Sequence, residues 1–166
     1  MKKNKTTKLT GFTLLEMIIT VAIIGILASI TVISFTSSRN EVRVKAAQAE
    51  VAASIKLAHS YALQGRADGG TTPSYYGIRF FSSTNYALCG CSNSTCSDCA
   101  YASAEEKYSL QNGVVLHSPS LANAWVTFSI PNGRVQTGSG MFTIRSSDGS
   151  QTKGISVNSN GYVTEH

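Results

Sequence analysis

The chain has 166 residues, with 14 lysines and arginines against 9 aspartates and glutamates, which gives a formal net charge of +5. Four of the lysines lie within residues 1–11, which contain no acidic residue. Beyond this segment ten cations face nine acids, so the rest of the chain carries a net charge of only +1. A strongly cationic surface, the usual basis of sequence-independent nucleic-acid binding, is therefore not expected, and nucleic acid is a possible partner that the composition does not favour.

Residues 12–35 form an apolar run of 24 residues in which Glu16 is the only charged residue. As a helix with about 1.5 Å rise per residue, this run would extend about 36 Å and could cross a bilayer core of about 30 Å. The lysines before it predict a cytoplasmic N-terminus and an outward C-terminal part, although Arg39, Arg43 and Lys45 reduce the charge asymmetry. A carboxylate in such a run costs several kcal/mol unless it is neutralised, so Glu16 predicts a specific role.

Three simpler interpretations compete for this segment. One of them, a buried helix of a soluble protein, is disfavoured because the run is long and has no polar face. A secretory signal peptide would be cleaved near Ala28-Ser29, but its apolar region is usually about 7–15 residues long and free of acids. An ordinary single-pass anchor would explain the apolar run and leave Glu16 unexplained. Glu16 therefore favours a membrane helix that has a second task.

Helical periodicity continues from residue 36 to about Gln64. Small and β-branched apolar residues recur at spacings of three and four, which predicts one buried face made of Val44, Ala47, Val51, Ile55, Ala58 and Ala62. Gly65 is the predicted end, because glycine readily adopts the left-handed conformation that terminates helices. No proline interrupts residues 12–64, so we expect one long helix, transmembrane over 12–35 and amphipathic over 36–65.

Residues 66–166 consist of short β-branched and aromatic runs between turn residues. These runs predict strands over 75–81, 85–88, 114–117, 124–130, 141–145, 154–157 and 162–164. Turns are predicted at Pro131-Asn132-Gly133, Asp148-Gly149 and Asn160-Gly161, and Glu105-Glu106-Lys107 is interpreted as a further, solvated turn. The predicted fold class is α+β, with the long N-terminal helix packed on a C-terminal, all-antiparallel β domain.

A cluster of four cysteines interrupts this β region, within a loop over residues 89–99 rich in serine and asparagine. Cys89, Cys91, Cys96 and Cys99 could form two disulfides in an oxidising compartment or bind zinc through four thiolates. Pairing Cys89 with Cys91 is sterically poor, which leaves Cys89–Cys99 with Cys91–Cys96, or the crossed alternative. The predicted outward location favours disulfides over zinc, and the Cys96-x-x-Cys99 spacing leaves a redox role as a further alternative.

The segment Gly11-Phe12-Thr13-Leu14-Leu15-Glu16, continued by the apolar run, resembles the signal sequence of type IV pilins and type II secretion pseudopilins. The order of one long helix and then strands is similar to pseudopilin H and FimT-type minor pilins. The resemblance implies that prepilin peptidase cleaves after Gly11 and that the amine of Phe12 is methylated, so that residues 1–11 are a leader. It also implies that Glu16 pairs with the terminal amine of a neighbouring subunit during assembly.

This resemblance implies a minor structural subunit of a type IV pilus or a type II secretion pseudopilus. Its implied partners are other pilin or pseudopilin subunits, prepilin peptidase, the inner-membrane assembly platform and, before assembly, membrane lipid. We expect a location in the bacterial inner membrane, with the C-terminus outside the cytoplasm, and then in a pilus or periplasmic pseudopilus. The alternative is a tip-located module that binds DNA or a surface, for which Arg134 and Arg145 are the cations nearest the C-terminal tail.

Catalytic chemistry is not expected from this sequence. His59, His117 and His166 fall on the helix, a strand and the last position, and no two have the spacing of metal ligands. The many serines define no catalytic triad with them. We therefore predict that the protein is not an enzyme and binds no metal or other cofactor.

Overall fold

The computed structural model of the protein describes residues 12–67, 72–99, 104, 106–110, 113–117, 124–138 and 140–166. Side chains at residues 30–37 are not described, and the predicted leader over residues 1–11 lies outside the described part. The chain divides into two compact units, residues 1–38 and residues 39–166.

Helix α1 runs from Leu14 to Gln64 as a single element of 51 residues. Thr13 caps its first turn, because the Thr13 Oγ1 accepts a hydrogen bond from the Glu16 N–H at 3.3 Å. The helix ends as predicted at Gly65, whose φ is +60°. There the Arg66 N–H bonds to the Tyr61 carbonyl at 3.2 Å and the Gly65 N–H to the Ala62 carbonyl at 3.3 Å, the two bonds of a Schellman motif.

The predicted membrane span, residues 12–35, has a described backbone throughout but described side chains only over residues 12–29. Among the described residues, no helix combines the length and the apolar character needed to cross a membrane. Residues 30–35 of the predicted span have side chains that are not described.

Nine strands follow the helix. They are β1 (Tyr75–Phe80), β2 (Asn85–Cys91), β3 (Glu106–Ser109), β4 (Val114–His117), β5 (Trp125–Ser129), β6 (Val135–Thr137), β7 (Gly140–Ser146), β8 (Thr152–Val157) and β9 (Val163–Glu165). Every described strand pair is antiparallel. The strands form a five-stranded sheet in the order β3-β2-β1-β5-β6 and a four-stranded sheet in the order β4-β7-β8-β9. The α+β class predicted from the sequence is confirmed.

All seven predicted strands are present, with ends shifted by a few residues, but the sequence missed β3 and β6. The interpretation of Glu105-Glu106-Lys107 as a solvated turn was wrong for Glu106 and Lys107, which belong to β3 and pair with Leu88 and Ala87. Glu105 lies outside the described residues. Tertiary packing outweighs the polar local sequence here, because the ring of Tyr108 stacks on that of Tyr86 at 5.0 Å.

The main core lies between the C-terminal half of α1 and the inner faces of the two sheets. All six residues of the predicted helix stripe are buried. They pack with side chains from both sheets in one cluster, among them Tyr76, Ile78, Phe128 and Ile144. One polar residue also lies in this stripe: Gln48 is 4% exposed and donates to the carbonyls of Gly154 at 2.7 Å and His166 at 3.1 Å. The helix is therefore tied to β8 and to the end of the chain by hydrogen bonds as well as by apolar packing.

Candidate functional site

The N-terminal part of α1 presents an extensive exposed apolar surface. Eleven large apolar residues between positions 12 and 27 are 50–78% exposed: Phe12, Leu14, Leu15, Met17, Ile18, Ile19, Val21, Ile23, Ile24, Ile26 and Leu27. At about 2 kcal/mol for the full burial of each such side chain, the free energy available from covering this surface is about 10–15 kcal/mol. Patches of this size mark interaction with a membrane or with other protein chains.

Glu16 lies in the first turn of this apolar helix and is exposed. Its backbone N–H is capped by Thr13, and a carboxylate at this position also interacts favourably with the helix dipole. Among the described residues, the Glu16 carboxylate has no ion-pair or hydrogen-bond partner. The structure thus leaves Glu16 accessible to another molecule, and Phe12, four residues earlier, is 77% exposed. Gly11, the other predicted processing residue, lies outside the described part.

The four cysteines are brought together in two disulfides. Cys89 is bonded to Cys99 and Cys91 to Cys96, which is one of the two connectivities that the sequence left open. Cys89 and Cys91 lie on β2, whereas Cys96 and Cys99 lie in the loop that follows, which we call the cover loop and define as residues 92–99. With the thiols bonded in pairs, they do not form the zinc site considered above. No group of potential metal ligands occurs elsewhere in the described part of the chain.

The cover loop is held by its own polar side chains and by the neighbouring strands. The Asp98 carboxylate accepts hydrogen bonds from the backbone N–H of Ser92 at 2.7 Å and from its hydroxyl at 2.6 Å. Partial burial raises the pKa of Asp98, but these hydrogen bonds outweigh it, and the net pKa is lowered. Beside the loop lies a polar cleft of about 340 Å³, lined by Thr72, Pro73, Ser74, Gly90, Cys91, Ser92 and Asp98.

Sequence reasoning missed a network of tyrosines and glutamates between α1 and the edge strand β3. The Tyr61 hydroxyl donates to Glu106 at 3.0 Å, Tyr108 donates to the same carboxylate, and Tyr86 donates to Glu50 at 3.2 Å. Burial, reinforced by the hydrogen bond to Glu106, raises the pKa of Tyr108 to about 12. The phenols stay neutral donors at physiological pH and brace the edge strand against the helix.

The remaining predicted candidates are dispersed. His59 packs on the ring of Phe128 at 5.0 Å, while His166 bonds through Nε2 to Ser156 at 2.9 Å. Arg134 precedes β6 in the five-stranded sheet, whereas Arg145 lies on β7 in the four-stranded sheet. Of the two arginines considered for DNA, one thus lies beside the five-stranded sheet and the other within the four-stranded sheet.

The described structure is that of an α+β protein with an exposed apolar N-terminal helix and a disulfide-bonded β domain. Over residues 8–32 the chain matches the family model for the prokaryotic N-terminal methylation motif, which is typical of type IV pilins and pseudopilins. Searches of curated proteins and of solved structures found no match for the chain. The methylation motif thus covers the predicted processing residues and all of the exposed apolar surface over residues 12–27.

Proposed function

We propose that the protein is a pilin-like or pseudopilin-like structural subunit that assembles with other such subunits through its N-terminal helix. The observation that carries this proposal is the exposed apolar surface of residues 12–27, which coincides with the methylation motif. A surface of this kind needs to be shielded from water. Membrane lipid would cover it before assembly, and the helices of neighbouring subunits would cover it afterwards. No catalytic activity is part of this proposal.

Processing is the first step of the proposed pathway. Prepilin peptidase would cleave after Gly11, remove the four lysines of the leader and methylate the amine of Phe12. The new terminus would then lie directly before the first turn of α1, which begins at Leu14. Before assembly, residues 12–35 would hold the subunit in the bacterial inner membrane with its β domain outside the cytoplasm.

Assembly is the second step, and Glu16 is the residue proposed to direct it. The Glu16 carboxylate of one subunit would pair with the Phe12 amine of a neighbour in the apolar interior of the filament. Both charges are costly in an apolar environment when they are alone, so docking that brings them together is favoured over random helix contact. The exposure of Glu16 supports this role, because its carboxylate is available to a second chain.

A finer assignment also follows from this proposal. We propose that the protein is a minor subunit of the pseudopilin H or FimT type, in a type II secretion pseudopilus or a type IV pilus, and that it contacts the inner-membrane assembly platform. Support comes from the order of the elements, a long helix without proline followed by an all-antiparallel β domain. Its copy number in the filament should therefore be low.

Intact mass and N-terminal sequencing of the protein from its native membrane test the processing step. A chain that begins at N-methylated Phe12 supports the proposal, and a deficit of about four hydrogens in the same spectrum reports two disulfides. A chain that begins at Met1 would overturn the pilin pathway. A Gly11→Val variant should remain uncut, whereas Gly25→Ala is the matched control, because a methyl group at Gly25 meets no atom within 4 Å.

A pair of glutamate variants tests the assembly step. Glu16→Ala should still be inserted and processed but should be lost from purified filaments. Glu41→Ala is the control, because Glu41 is also exposed on α1 but lies outside residues 8–32. Normal incorporation of Glu16→Ala would refute the role assigned to Glu16 and leave the processing step standing.

A further inference from the structure

The five-stranded sheet has an outer face, directed away from α1, that is covered by the cover loop. Along β2, Tyr86 and Leu88 point into the main core, while the alternate residues Ala87, Cys89 and Cys91 belong to a second, separate apolar cluster. Each disulfide joins one of these outward cysteines to one cysteine of the cover loop. The loop is therefore fastened over the outer face at two neighbouring points.

The cover loop lies directly against the sheet backbone. This close approach requires the glycine at position 77 on β1. A Cβ atom there would lie 2.7 Å from the Val126 carbonyl oxygen, 2.8 Å from Thr127 Cγ2 and 3.2 Å from the sulfur of Cys96. No side chain larger than glycine fits between β5 and the loop without displacing one of them.

Arg79 is the principal non-covalent tie between the sheet and the cover loop. Its Nη1 donates to three loop carbonyls, those of Cys96 at 3.1 Å, Ser97 at 3.1 Å and Cys99 at 2.9 Å. Thr127 on β5 adds a fourth contact, as its hydroxyl donates to the Ser94 carbonyl at 2.7 Å. Hydrogen bonds from a charged donor are stronger than neutral ones, so Arg79 should contribute most to keeping the loop closed.

The closed loop shields all four sulfur-bearing residues from solvent. Cys96 is 0% exposed, Cys91 is 1% exposed, and Cys89 and Cys99 are 4% exposed. Thiol–disulfide exchange requires that an attacking thiolate reach a sulfur atom along the disulfide axis. A reductant in solution can therefore act only after the cover loop has opened.

We propose that oxidation of the four cysteines fixes the cover loop in its closed position. We further propose that the hydrogen bonds from Arg79 to this loop control how readily thiol reagents reach the two disulfides. This oxidation converts four thiols into two disulfides and releases four protons and four electrons. Two equivalents of a disulfide oxidant accept these electrons and protons and become dithiols. Reduction is the reverse reaction and consumes two equivalents of a dithiol reductant for each subunit.

Fixing the cover loop by oxidation also affects the folding of the β domain. While the cysteines are reduced, the cover loop is held by the Arg79 and Thr127 hydrogen bonds and by its apolar packing, and the apolar cluster beneath it is exposed whenever the loop opens. Oxidation makes this open state rarer, because two disulfides then fasten the loop to β2. The sequence of events is therefore loop docking first, then oxidation, and then protection of the sulfurs by the loop that they fasten.

The test measures the rate of disulfide reduction in the oxidised full-length protein in detergent. Dithiothreitol is added in excess, samples are alkylated with iodoacetamide, and mass spectrometry counts the alkylated cysteines. Arg79→Ala should be reduced at least about tenfold faster than the wild type, because it loses three charged hydrogen bonds to the loop. Arg134→Ala, which removes an exposed arginine near the same sheet, should be reduced at the wild-type rate.

A second variant and a second readout keep the test decisive if Arg79→Ala folds poorly. Thr127→Val preserves side-chain volume but loses the bond to Ser94, so its reduction should be a few times faster than that of the wild type. Hydrogen exchange after reduction should increase in β1 and β2 and stay unchanged in β7 and β8. Reduction of Arg79→Ala and Thr127→Val at the wild-type rate, or reduction that unprotects both sheets together, would overturn the proposal.

Discussion

Replacing Gln48 tests how strongly the globular unit depends on one buried polar contact. The side chain is 4% exposed and donates to the carbonyls of Gly154 and His166. Each hydrogen bond of this kind contributes about 1 kcal/mol, and a carbonyl left without any partner would cost more. The Gly154 carbonyl also accepts a hydrogen bond from the His166 N–H at 2.9 Å, and the His166 carbonyl accepts one from the Gly154 N–H at 3.2 Å. Neither carbonyl would therefore be left unsatisfied.

From these contacts we expect Gln48→Met to lower the free energy of unfolding by about 1–3 kcal/mol. Methionine keeps most of the volume and removes both donors, so this variant isolates the hydrogen bonds. Gln48→Ala adds a cavity and should cost about 2–4 kcal/mol. Thermal unfolding of the full-length protein in detergent, followed by circular dichroism, measures both, with an expected fall in Tm of several degrees for each kcal/mol.

Gln64→Ala is the control for the same residue type on the same helix. Gln64 is exposed and bonds only to Ser60 one turn earlier, at 2.7 Å, so its loss should change stability by less than about 0.5 kcal/mol. A Gln48→Met protein as stable as this control would refute the reasoning. The tie between α1 and β8 would then rest on apolar packing alone.

Two further predictions concern the turns. Hydrogen bonds from Ser146 and Ser150 lower the pKa of Asp148 to about 2, below its ordinary value of 3.8, so its contribution to stability is present above about pH 4 and is lost as the pH falls toward 2. Asp148→Asn should therefore show a smaller fall in Tm than the wild type between pH 5 and pH 2, and an equal fall would contradict this. Gly138→Ala should prevent folding, because its Cβ would lie 1.8 Å from the Trp125 carbonyl oxygen, whereas Gly149→Ala, with a similar positive φ and open space, should cost only about 1–2 kcal/mol. Comparable Tm values for the two glycine variants would show that the short distance from Gly138 to the Trp125 carbonyl does not determine whether the protein folds.

The sequence predicted those parts of the fold that have a local periodic signal. The apolar stripe from Val44 to Ala62 and the glycine at position 65 were sufficient for the helix and its end, because spacing and backbone conformation are local properties. The seven apolar strands were predicted for the same reason. Strand β3 was missed because Glu106 and Lys107 carry no strand signal, and its position depends on a tyrosine pair that forms only in the folded chain.

The candidate sites were predictable to different degrees. The predicted processing residues and the proposed assembly residue Glu16 follow from a contiguous motif, which the family model also matches. The cysteine spacing predicted two disulfides but left two connectivities, and only the fold selects between them. Arg79 and Gly77 were missed, although a charged residue and a glycine within the apolar run Tyr75–Phe80 are the available signal. Their role depends on a loop that returns from another part of the chain.

The contacts from Arg79 and Thr127 to the cover loop all end on main-chain carbonyl oxygens. These hydrogen bonds between the sheet and the loop therefore do not depend on the side chains of Ser94 or Ser97. The Ser97 hydroxyl accepts a hydrogen bond from Asn93 at 2.9 Å within the loop, so a substitution at Ser94 is the one expected to alter the surface while the four cysteines and the backbone path stay the same. Ser94 is consequently a suitable position for an engineered label on the outer side of this sheet.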